Sequence, residues 1–221
     1  MSEELETLQR LALTELQAGR IDQTIVLMRK SLSMTESTHG HDSLETAQAM
    51  SSLALCLART ADGLTEAREL ASTAFEIRKT KKGEVDVTTA LSAEFLASLE
   101  TRLGNCKSAE NMFNLCLSSA QSLVGPNHIN TARIQYHLGL LLSRQDNREV
   151  EAQVLLEKSF QTRLLLLGNA ATETEQSRAA LSEILTRRMG PAKTEEVFKR
   201  LEQNNIDTSN SSGFPFQQSM R

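Results

Sequence analysis

An all-α fold built from five successive helical hairpins is what this sequence predicts, and three observations carry the prediction. The 221 residues hold only 3 prolines, 10 glycines, one tyrosine and no tryptophan, in a chain rich in Leu, Ala, Glu, Ser and Thr, which favours helix over strand. A leucine column, Leu11, Leu53, Leu96, Leu138 and Leu181, recurs at spacings of 42, 43, 42 and 43, and each leucine precedes a small residue, Ala12, Ala54, Ala97, Gly139 or Ser182. Two more columns keep the register. Gly40, Gly83, Gly125 and Gly168 fall in the polar stretch that ends each unit, and Thr24, Ala67, Ala109 and Ala152 stand three residues before Leu27, Leu70, Met112 and Leu155. Self-similarity at this period means one supersecondary unit repeated, because a single hairpin cannot bury its apolar face alone.

Within each unit apolar residues recur every three or four positions on both sides of a short polar break, the pattern of two amphipathic helices. The first unit, about 4–43, places helices near 4–18 and 21–36. The second, 44–86, places them near 45–60 and 64–80, with Asp42 and Glu45 at capping-box spacing before the first. The third, 87–128, has 87–103 and 106–122; the fourth, 129–171, has 129–145 and 149–166. The fifth, 172–203, opens with Thr172 and Glu175 at the same capping spacing and has 172–188 and 192–204. It carries Glu195 and Glu202 where earlier units have small residues, as a terminal repeat with a wetter outer face does. Ala67, Ala109 and Ala152 are expected contact points between hairpin partners, since helices approach closely only over short side chains. The repeat domain thus covers 1–203, and the Asn-, Ser- and Gln-rich stretch 204–221 reads as a disordered tail carrying Phe214 and Phe216.

Charge and composition exclude several function classes. Twenty-four basic against 28 acidic residues give a net charge of −4, with no excess to draw the chain to nucleic acid or an anionic membrane. The densest apolar run, Leu164 to Leu167, is far short of the roughly 18 residues of a membrane span. Glu3, Glu4 and Glu6 stand where an import signal needs basic or apolar residues, which predicts a cytoplasmic protein. Cys56, Cys106 and Cys116 are odd in number and lack metal-ligand spacing. Cys116 reads as a small buried hydrophobe, Cys106 as a turn residue.

A helix pair with Leu-Ala on the first helix and Glu-Ala on the second resembles the tetratricopeptide repeat. Pro126-Asn127-His128 after Gly125, leading into Thr131-Ala132, is similar to the linker of the 42-residue, kinesin-light-chain-like type. The likeness covers roughly 4–203, and only the linker at 125–132 is close to that pattern. The resemblance implies a right-handed α-solenoid whose first helices line a concave groove. It also implies a protein-binding module rather than an enzyme.

No Walker or GxGxxG glycine loop, HExxH, GxSxG or kinase signature is present, so no catalytic residue, metal or cofactor is expected. His39, His41 and Asp42 read as a solvated linker and not as ligands, because zinc takes four. His128 reads as a packing or hydrogen-bonding linker residue and His137 as exposed. The basic run Arg78, Lys79, Lys81 and Lys82 reads as a solvated helix end. One pattern stands out. Six residues after the column leucines lie Gln17, Arg59, Arg102, Arg144 and Arg187, about 120° around the helix from the leucine and away from the apolar stripe.

By the resemblance these arginines would form a ladder along the groove. Guanidinium forks bind carboxylate and phosphate, so the expected partner is an extended acidic or phosphorylated peptide, or a partner helix. Tyr136 and Arg133 are the expected anchors beside them; the neighbouring groove positions are mixed, Gln48, Ser51 and Leu55 in the second unit and Leu91, Glu94 and Ser98 in the third. The same arginines also suit the C-terminal ends of helices electrostatically, which leaves a second reading open. In that reading the chain is a structural or assembly factor acting through its outer surface or by self-association; a homo-oligomer is compatible with the sequence without being required by it.

Overall fold

Glycine sets where the helices stop. Gly40, Gly83, Gly125 and Gly168 all take φ between 83° and 92°, a backbone that side-chain-bearing residues rarely adopt. The helices therefore run right up to them: α2 spans Ile21–His39, α4 Leu64–Lys82, α6 Cys106–Val124 and α8 Glu149–Leu167. Sequence patterning places these ends up to three residues earlier, because the residues before each glycine are helical although they bury little. The first helices of the hairpins are α1 Glu3–Gln17, α3 Leu44–Leu57, α5 Val87–Arg102, α7 Ile129–Leu142 and α9 Thr172–Met189. α10, Pro191–Ser211, runs past its expected end at 204. The computed structural model describes the backbone of 3–211 and the side chains of 3–203; Phe214, Phe216 and the rest of the expected tail lie outside the described residues. Among these there is no strand.

Capping differs from the expected boxes. Ser43, not Asp42, caps α3, its Oγ accepting from the Thr46 amide at 3.0 Å. Thr172 is already helical, and Ala171 before it has no side-chain acceptor. Asp86 caps α5 by accepting from the Thr88 and Thr89 amides, and the Nδ1 of His128 accepts from the Asn130 amide at the start of α7.

The chain forms two compact units, Met1–Leu123 and Val124–Arg221. In the first, α1 to α5 pack in sequence order, each on the next; in the second, α7 packs on α8, α8 on α9, and α10 on both α9 and α8. The expected columns form both cores. Thr24, Ala67, Ala109 and Ala152 are fully buried, and Leu53, Leu96, Leu138 and Leu181 are 5% exposed or less. Leu11, the column leucine of the first hairpin, is 45% exposed. Gly139 admits α8 closely: a Cβ there would stand 2.8 Å from Leu156 Cγ.

A further column, not read from the sequence, closes the linkers. Thr46, Thr89, Thr131 and Thr174 are all fully buried. The hydroxyls of Thr46 and Thr131 each donate at 2.7 Å to the carbonyl of the linker glycine six residues earlier, Gly40 and Gly125. In the first hairpin Glu4 takes this place and pairs with Lys30.

The fifth hairpin keeps its core through aromatic and ionic contacts. Phe160 meets Phe198 edge to face at 5.5 Å, and Arg178 lies over both rings while pairing with Glu202. The glutamate at a small-residue position is thus accommodated at the surface by an ion pair.

Candidate functional site

In Val124–Arg221 the expected anchors meet a residue that the sequence reading did not single out. Arg133 and Tyr136 lie five and two residues before Leu138 on α7, so they share a helix flank away from the core leucine. Arg163 of α8 reaches this flank. Its guanidinium carbon stands 4.6 Å from the centre of the Tyr136 ring, and its Nη1 donates to the Glu173 carbonyl at 2.8 Å and Ser177 Oγ at 2.9 Å. Arg163 is 3% exposed, and its Nε has no partner among the described residues. Burial pulls its basicity down, Tyr136 and Glu173 push it up, and the like charge of Arg133 pulls it down again. His137 meets Tyr136 edge on at 5.3 Å. Part of its surface reaches solvent, as expected, yet its imidazole is held below the ordinary value, first by desolvation and then by Arg163 and Arg133. The flank is electropositive, with a fixed aromatic face.

In Met1–Leu123 the matching arginine is Arg78, which corrects the reading of it as part of a solvated basic run. It is 6% exposed. Nη1 donates to Ser51 Oγ at 2.8 Å and Ser92 Oγ at 2.7 Å, while Nη2 donates to the Ala47 carbonyl at 3.2 Å and Gln48 Oε1 at 3.0 Å. Burial lowers its basicity, and Asp86 partly restores it. Four residues separate Arg78 from the buried Ala74, so both occupy one helix face; the neighbouring Lys79 instead turns outward to Glu84. The signal was present in the repeat register. Four residues after the small column Ser31, Ala74, Cys116 and Ser159 stand Thr35, Arg78, Ala120 and Arg163, a buried column with a charge in alternate units.

The arginine ladder falls at the ends of the first helices. Arg59 lies just beyond α3, Arg102 is the last residue of α5 and Arg144 lies just beyond α7; all three are exposed. Among the described residues none of the three makes an ion pair. Arg187, inside the last turn of α9, pairs with Glu183 at 2.9 Å and lies 4.0 Å from Glu149. The groove positions Leu55 and Leu91 are exposed, whereas Ser51 is engaged by Arg78.

Other candidate chemistry is absorbed locally. His41 Nδ1 pairs with Glu36, which with Asp42 holds its imidazole above the ordinary value, and His39 Nδ1 meets the Thr35 carbonyl at 3.2 Å. Cys116 and Cys56 are buried and Cys106 is exposed. Burial pushes the Cys56 thiol up. Among the described residues no group of three or more His, Cys, Asp or Glu could hold a metal ion, and no helix is long and apolar enough to cross a membrane.

Comparison with known proteins follows the same repeats. The family profile of the tetratricopeptide repeat matches residues 3–80 and 86–164. Among solved structures, BtubC (BKLC) from P. vanneervenii is 20% identical with a TM-score of 0.75, covering 98% of this chain and 84% of its own. A Podospora anserina putative kinesin light chain with nearly identical repeats is 16% identical with a TM-score of 0.75, covering 95% and 99%. MamA from Desulfovibrio magneticus RS-1 is 12% identical with a TM-score of 0.66, covering 92% and 96%. At these identities the likeness is one of fold. No curated protein matches by sequence.

Proposed function

Because the chain belongs to the tetratricopeptide repeat family, in the kinesin-light-chain-like form of its fold, we propose that it is a non-enzymatic adaptor whose first helices hold an extended acidic peptide. The family supports a protein-interaction module in general, and the acidic ligand goes beyond it. One observation carries it. Arg133 and Arg163 lie close enough to Tyr136 and His137 to depress the imidazole, and Arg163 is buried with no carboxylate among its hydrogen-bond partners. A carboxylate or phosphate arriving at this flank gains charge-assisted hydrogen bonds in a partly dehydrated setting. Tyr136 offers a rigid amphipathic surface at little entropic cost. Arg59, Arg102, Arg144 and Arg187 act as steering charges that speed encounter and make it sensitive to salt. No cofactor takes part.

The test is affinity capture from lysate at low salt with three proteins of verified helicity: wild type, Arg133→Ser with Tyr136→Ala, and the quadruple Arg59, Arg102, Arg144 and Arg187→Ser. The reading expects partners bearing acidic segments to be lost from the double variant and weakened in the quadruple one. It expects the His137 imidazole to become more basic when such a partner binds, because an added anion offsets Arg133 and Arg163. Identical partner sets on all three proteins would refute it.

A further inference from the structure

We infer that the first hairpin carries a receptor for an arginine side chain presented by a protein partner, at the place where other hairpins hold an arginine of their own. In the second hairpin Arg78 fills the space between α3 and α5, and in the fourth Arg163 fills the space between α7 and α9. The residue in this register in the first hairpin is Thr35, whose hydroxyl folds back to the Ser31 carbonyl at 2.8 Å. Between α1 and α3, over α2, the structure has a cleft of about 620 Å³. That is within the roughly 300–1,000 Å³ of ordinary ligand sites, room for a side chain and part of the backbone bearing it.

The walls of the cleft are the repeat counterparts of the residues around the two arginines. Leu5 corresponds to Ala47, Gln9 to Ser51 and Tyr136, Ala49 to Ser92 and Ser177, and Glu45 to Glu173, and all four line it. The charge of the lining fits a cation from outside. Glu45 contributes a carboxylate at the register of Glu173, whose charge favours the Arg163 guanidinium, Gln9 and Gln48 contribute amide oxygens, no lysine or arginine lines the cleft, and the lining His39 is engaged through Nδ1 by the Thr35 carbonyl. Leu13, Met28 and Leu44 provide apolar surface for the methylene stem. A guanidinium suits the site better than an ammonium, because its planar fork reaches acceptors on two helices at once, as Arg78 does on α3 and α5. The charge sense is opposite to that of the flank around Tyr136, so this inference goes beyond the acidic-peptide reading and stands or falls without it.

The experiment titrates the full-length ¹⁵N-labelled protein with N-acetyl-arginine methylamide, and in parallel with its citrulline and leucine counterparts. The expected result is a saturable shift of amides along α1–α3 by the arginine compound, with citrulline binding roughly tenfold or more weaker because it loses the charge-assisted hydrogen bond. Glu45→Gln is expected to bring arginine down to the citrulline level. Thr35→Arg, with helicity verified, should fill the cleft from within and abolish the shifts; should it not fold, Glu45→Gln decides alone. Absence of a saturable shift by arginine overturns the proposal. So does equal binding of citrulline, stronger binding of leucine, or full arginine binding to Glu45→Gln.

Discussion

The buried threonines that close the linkers provide an internal series in which one substitution has three different expected effects. Thr131→Val exchanges a hydroxyl for a methyl of similar size at a fully buried position, so it creates no cavity. It removes the 2.7 Å hydrogen bond to the Gly125 carbonyl and leaves that acceptor without the threonine. A lost bond and a half-buried carbonyl left without it together cost about 1–3 kcal/mol. Thr46→Val is expected to cost less, about 1 kcal/mol, because Gly40's carbonyl still accepts from the Ser43 amide at 3.4 Å, and the half-buried Ser43 Oγ, which donates to Thr46 Oγ1 at 2.9 Å, has solvent as a replacement acceptor. Thr174 is equally buried, but its hydroxyl has no partner among the described residues, so Thr174→Val is expected to be neutral or stabilising by up to about 1 kcal/mol. Urea unfolding followed by far-ultraviolet circular dichroism gives the three differences, provided the slopes agree. Tyr136 is the one tyrosine in a chain without tryptophan, so its emission reports separately on the fourth hairpin, where Thr131 lies. Equal losses for Thr174→Val and Thr131→Val would refute the assignment of these hydroxyls as linker clasps.

Gly139→Ala is expected to destabilise by about 1–3 kcal/mol despite alanine's better helix propensity, since its methyl would press on Leu156; thermal unfolding checks this. Glu100 is buried on α5, and burial alone would raise its carboxyl, but Asn105, Arg68 and Ser108 hydrogen-bond the carboxylate and the net effect is below the ordinary value. A carboxyl depressed on folding stabilises above its unfolded pKa and loses that contribution as pH falls through the folded one, so stability should decline in acid below about pH 4.5. Glu100→Gln should flatten that acid limb and cost about 1–3 kcal/mol at pH 7, both readable from denaturation midpoints against pH. Arg78→Lys is expected to lose about 1–3 kcal/mol, because one ammonium cannot serve four acceptors on two helices, and amide hydrogen exchange in α3 and α5 should quicken.

The helical hairpins were legible because their signals are redundant: each helix is specified by several apolar and small positions, and the linker glycines punctuate them in one register. Helix ends were less legible, since Glu36 to His39 or Lys79 to Lys82 look like loop by composition but stay helical until a positive-φ glycine stops them. The site was legible only by half. Tyr136 and Arg133 stand out as unusual residues on a first helix, whereas Arg78 reads as surface charge and Arg163 is not singled out, because hydropathy assigns arginine to solvent whatever its register. Position overrides composition here. An arginine four residues after a buried Ala74 or Ser159 has no route to water except between the neighbouring first helices, so it must find acceptors there, and Ser51, Ser92, Gln48 and Ser177 are the acceptors it finds. In a repeat, each column states what a position needs, and a unit that departs from it reveals what is missing. Thr35 is too short to fill the space that Arg78 and Arg163 fill in their hairpins, and a cleft with an acid in its wall lies there. The same comparison of columns that identifies the buried arginines therefore identifies where a partner's arginine would fit.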